Sequence, residues 1–182
     1  MRRLIFQVNE RPRPKGSLTV RPNGSVKESV DPEGVFRTAV CRAAWSALTG
    51  DMPSGATGYR DFRSPRLRSR ISPFPGTVET SMLFRFARKP EHKLWAPGDP
   101  LTEKTRHLGV GDIEKLVRNV HDALVDVGVL IDDHSVTTQR RVAKRFVDED
   151  MWEMPGVLVI VEEDWPNEAR RLDEEVFGEW LS

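Results

Sequence analysis

Between residues 112 and 133 the chain places acidic side chains where they could hold a metal ion. Asp112 and Glu114 open the run Asp112-Ile113-Glu114-Lys115-Leu116-Val117-Arg118, and Asp132-Asp133 follows after Gly128. If the chain after Gly128 folds back beside the start of this segment, three or four carboxylates converge. Oxygen ligands suit a hard divalent cation, and magnesium keeps several waters while taking one or two carboxylates plus phosphate oxygens from a substrate. Such a site can generate an attacking hydroxide and stabilise the leaving oxygen of a phosphodiester. Arg118 lies one helical turn after Glu114, with Asp122 a turn further, so a fixed cation stands where a scissile phosphate could be held. The same residues also have a plainer reading. Acids at a helix start are favoured by its dipole, Glu114 with Arg118 is an ordinary i,i+4 pair, and Asp-Asp is a common turn signal.

Several elements must position these groups. Ile113, Leu116, Val117, Val120 and Leu124 form an apolar stripe at helical spacing, with Asp112 as the cap. Residues 3–8 alternate as a short strand, which a basic, proline-rich loop carrying Arg11, Arg13 and Lys15 ends. The pattern over 33–48 predicts a first helix behind Asp31-Pro32. Residues 50–76 show no period and read as a long mobile loop or insertion bearing Arg60, Arg63, Arg66, Arg68 and Arg70 among Tyr59 and Phe62. A second strand is expected over 77–88, a third over 135–147 and the strongest over 156–161, the last two pairing as a hairpin. Residues 167–181 space apolar side chains helically in an acidic context and predict a terminal helix laid on the domain or binding a partner.

With 182 residues, the chain is long enough for one substantial core, so a single domain is expected. The one cysteine, Cys41, excludes an internal disulfide framework and a zinc ribbon. No apolar run approaches the ~20 residues of a membrane-spanning helix, and the stretch after Met1-Arg2-Arg3 is too short for a signal peptide, which points to a cytoplasmic protein away from membranes. The zero formal charge conceals an asymmetry. Residues 1–93 carry 18 Lys and Arg against 8 Asp and Glu, and the remainder carries 10 against 20. A basic half suggests contact with polyphosphate.

The segment Asp112-Ile113-Glu114-Lys115-Leu116-Val117-Arg118, then Asp122-Ala123-Leu124, Gly128 and Asp132-Asp133 with Val136 after it, resembles the signature of the RusA family of Holliday-junction resolvases. Weaker similarities extend over most of the chain: the Pro12-Arg13-Pro14-Lys15 loop, a helix containing Trp45, a strand ending Arg88-Lys89-Pro90 and a final Gly-Val-x-Val-x-Val strand. The resemblance implies an α/β (α+β) fold, a small mixed sheet with helices packed on it, assigned to residues 1–163, and the spacing and acidity noted above mark 164–182 as a helical extension. It implies a homodimer that resolves four-way DNA junctions by paired, magnesium-dependent nicks, with manganese as a possible substitute. Asp112, Glu114 and Asp133 would be metal-binding catalytic acids, Asp132 a further ligand, and Arg118 would stand where the family has a catalytic lysine. The second acid is Glu where Asp is expected. An arginine in place of lysine can clamp charge but cannot shuttle a proton.

Arg11, Arg13 and Lys15, with Arg66, Arg68, Arg70, Arg88 and Lys89, are the expected contacts to the DNA backbone. Two other functions fit the same residues. A junction-binding protein with weakened or no catalysis would follow from the departures at Glu114 and Arg118, and an acidic-tailed interaction module would meet no DNA at all.

Overall fold

A computed structural model of the protein describes residues 2–15, 18–20, 26–28, 34–87, 112–147 and 154–164. Within them lie strands β1 (Arg3–Val8), β2 (Leu18–Val20), β3 (Val26–Glu28), β4 (Val78–Phe86), β5 (Val136–Phe146) and β6 (Gly156–Glu163), and helices α1 (Val35–Thr49), α2 (Pro65–Arg68) and α3 (Ile113–Val127). The fold is α+β, a small mixed sheet with helices packed on it. The four-stranded sheet runs β1-β6-β4-β5, while β2 and β3 pair separately as an antiparallel ribbon.

The alternation of residues 3–8 gives β1 an inward face of Leu4, Phe6 and Val8. The continuous apolar run of β6 lies between β1 and β4, antiparallel to both. All of β4 is buried, and β5 runs parallel to it at the sheet edge. This corrects the expected hairpin of β5 with β6. Parallel neighbours need a crossover between them, and α3 supplies it between β4 and β5, leaving β6 to enter on the other side of β4. The basic side chains of β5, among them Arg140, Arg141 and Lys144, suit an edge strand, where charge discourages pairing with another chain.

Helices α1 and α3 pack on each other, and α1 also packs on β1. Trp45, Phe36, Leu116 and Leu124 lie fully buried in the shared core. α1 begins at Val35 behind Gly34, whose φ of 62° and contact with the Tyr59 ring leave no room for a side chain. The proposed Asp31-Pro32 cap lies outside the described residues. Residues 50–76, expected as a loop, contain a 3-10 turn at Tyr59–Arg63 and the short helix α2, with Phe62, Ile71 and Phe74 buried. Phe62 packs edge-on against Trp45 at 6.1 Å between ring centroids. A side chain buried this way anchors a segment whose own sequence has no apolar period.

Candidate functional site: an acid and arginine cleft at the end of α3

Asp112 caps α3 as its position predicts, its side chain accepting the Glu114 backbone N–H at 3.1 Å. Glu114 and Arg118 are exposed one turn apart and form no ion pair among the described residues. At the other end Gly128, with a φ of 85°, closes the helix by donating to the carbonyls of Leu124 and Val125. The chain does not then return along the helix. Val129 and Leu130 are fully buried, and the Val129 carbonyl accepts the Phe74 N–H at 3.0 Å, which ties this segment to the C-terminal end of α3.

Asp132 and Asp133 therefore stand beside Asp122 and Asp126, which lie about 15 and 21 Å along the helix axis from Asp112. Asp122, Asp126, Asp132 and Asp133 line one cleft of about 320 Å³ with Arg37, Arg63, Arg68 and Val125. A single chain thus divides the expected acids. Asp132 and Asp133 share the cleft, while Asp112, Glu114 and Arg118 belong to the opposite end of α3 and do not line it.

The inner wall of the cleft is a neutralised network. Asp126, only 3% exposed, accepts Arg37 Nε and Arg63 Nε, each at 2.5 Å. Asp122 accepts Lys15 Nζ at 2.5 Å and Arg37 Nη1 at 3.3 Å. Burial works against the charge on Arg37, yet the Asp126 hydrogen bond and the two carboxylates outweigh it and raise its pKa above the ordinary value. Arg37 stacks on the Tyr59 ring at 4.5 Å, and Arg63 approaches the same ring at 5.7 Å. Below the cleft, buried His121 meets Thr80 Oγ1 at 3.1 Å; burial lowers its pKa to about 4 despite the nearby carboxylates of Asp122 and Asp133.

The outer wall differs. Asp132 Oδ1 accepts the Ser135 N–H at 3.0 Å, and His134 Nδ1 lies 3.1 Å from Asp133 Oδ1. Neither acid meets a lysine or arginine among the described residues. Ligand atoms of Asp132, Asp133 and His134 come within 4.8 Å of one another, so the three could hold a cation.

The expected DNA contacts separate in the same way. Arg11 and Arg66 are exposed, with no side-chain partner among the described residues. Lys15 is held by Asp122, and its loop is fixed further where Asn119 donates to the Arg13 carbonyl at 2.9 Å. Arg70 pairs with Asp51 at 2.8 Å and lies over Trp45, and Arg68 donates to the Val125 carbonyl at 3.2 Å. Arg88, Lys89 and residues 165–182 of the acidic extension lie outside the described residues. Arg37 and Asp126 are the site residues that the sequence reading did not single out, and Arg63 was named there only among the arginines of residues 50–76. The available signal was Asp126 itself, an acid between Val125 and Val127, one turn after Asp122.

No family model matches the chain, and no curated protein matches it.

Proposed function

We propose that the protein is a magnesium-dependent, structure-selective endodeoxyribonuclease that resolves four-way DNA junctions by paired phosphodiester hydrolysis. The observation that carries this reading is the pairing of Asp132 and Asp133, with no lysine or arginine bound to either among the described residues, at a cleft that Arg37, Arg63 and Arg68 line together with Asp122 and Asp126. The carboxylates of Asp132 and Asp133 are oxygen ligands of the kind that magnesium and manganese take, whereas the His134 imidazole, a nitrogen donor, would stay outside a magnesium ion's ligand set. When bound, such an ion would polarise a water for attack and stabilise charge at the leaving oxygen. Asp132 and Asp133 would hold it, and Asp126 and Asp122 would fix the arginine wall facing it. Exposed Arg11 and Arg66 would bind backbone phosphates without reading sequence.

The placement of Asp112 and Glu114 supports a homodimer as the working unit. Two copies of α3 lying antiparallel about a two-fold axis bring the start of each helix beside the end of the other. Asp112 and Glu114 of one copy would then join Asp132 and Asp133 of its partner, giving two sites related by the same symmetry as the junction. The separation of these acids within one chain is also what favours a second reading, a junction-binding protein that does not cut.

A labelled synthetic four-way junction, with and without magnesium, separates the two. The proposal expects wild-type protein to make paired nicks only with the metal, and Asp133→Asn to bind without nicking. A wild type that binds but never nicks selects the second reading.

A further inference from the structure

We infer that Arg63 and Arg68 form the clamp that holds the phosphate to be cut, a role that the order of residues along the chain gives to Arg118; this rests on the nuclease reading above. The charges in the cleft divide by depth. Arg37 is 13% exposed, Asp126 is 3% exposed, and these two charges, with Asp122 and Lys15, satisfy one another. Arg63 joins that network through Nε alone and is 53% exposed. Its remaining N–H groups have no hydrogen-bond partner among the described residues. Arg68, also exposed, makes one side-chain hydrogen bond among the described residues, from Nη2 to the Val125 carbonyl.

Both guanidiniums are thus anchored at one nitrogen and leave donors over for an anion in the cleft. Anchoring matters because a donor fixed beforehand loses little freedom when the ligand arrives. The Tyr59 ring under Arg63 adds to it, and Tyr59 is itself held by its N–H bond to Thr38 Oγ1 at 2.9 Å. Asp132 and Asp133 line the same cleft. A phosphodiester has two non-bridging oxygens, and a ligand contacting both walls would turn one toward the arginines and the other toward a cation on the acids. An arginine fork matches this geometry better than an isolated positive charge. Within one chain Arg118 is not among the residues that line this cleft.

The test is an NMR titration of the full chain with the dinucleotide thymidylyl-thymidine, a single phosphodiester, in calcium so that binding is read without hydrolysis. Wild type should bind, Arg63→Gln should bind at least tenfold more weakly, and Arg68→Gln should also weaken binding. Arg68→Gln guards against a fold defect, since it removes one exposed bond and leaves the pairing of Asp126 intact. Binding by Arg63→Gln and Arg68→Gln within twofold of wild type overturns the clamp, as does a wild type that does not bind. A wild type that binds the dinucleotide through these arginines but never nicks a junction in magnesium keeps the clamp and removes the nuclease reading.

Discussion

The two ends of α3 carry the same kinds of residue and use them differently. At the start, Asp112, Glu114 and Arg118 are exposed, and among the described residues only Asp112 has a structural task, capping the helix. At the end, Asp122 and Asp126 are locked to Lys15, Arg37 and Arg63, while Asp132 and Asp133 are kept out of that network by one turn of chain. Depth decides the difference. A buried carboxylate such as Asp126 must be paired, and its pairing organises the surrounding arginines; an exposed one remains available to a ligand.

This contrast breaks most sharply if both ends respond alike to mutation. Asp126→Ala takes the Nε partner from the buried Arg37, leaving it Asp122, and should lower unfolding free energy by about 3 kcal/mol in urea denaturation. His121 adds a pH dependence at the same end. Its folded pKa of about 4 lies below the unfolded value of 6.5. The unfolded chain therefore takes up the proton first as pH falls. Full stability should hold above pH 6.5, and on the order of 3 kcal/mol should be lost between there and pH 4. Thermal unfolding across that range checks it, and a His121→Asn variant should give a flatter profile. At the start of the helix, Asp112→Ala should cost only ~1 kcal/mol as a lost cap. Arg118→Gln should change stability by less than about 0.5 kcal/mol in the same denaturation series. A cost at Arg118 equal to that at Asp126 would mean that the start of α3 is as built as its end.

Much of the fold was legible in local pattern because each element announces its own period. Leu4, Phe6 and Val8 mark β1, and the stripe from Ile113 to Leu124 marks α3 with its cap. Strand order was harder to read, because pairing depends on distant partners. The run Val157-Leu158-Val159-Ile160-Val161 is apolar on both faces, which suits an interior strand between β1 and β4 better than half of a hairpin. The turns over 59–68 escaped because what holds them is tertiary: Phe62 against Trp45, and Arg63 and Arg68 against α3. In the site, the acid types were legible and their grouping was not. Burial of Val129 and Leu130 decides that Asp132 and Asp133 stay at the far end of the helix from Asp112.

The central claim, that acids from opposite ends of α3 work together across two copies, is tested by heterodimers co-refolded from Asp112→Asn and Asp133→Asn chains. Each variant alone should be inert toward a four-way junction in magnesium. The mixed dimer keeps one intact pairing, Asp112 of the Asp133→Asn chain with Asp133 of the Asp112→Asn chain, and should nick one strand. A mixed dimer as inert as its parents, or an Asp112→Asn protein that nicks at the wild-type rate, would contradict the account.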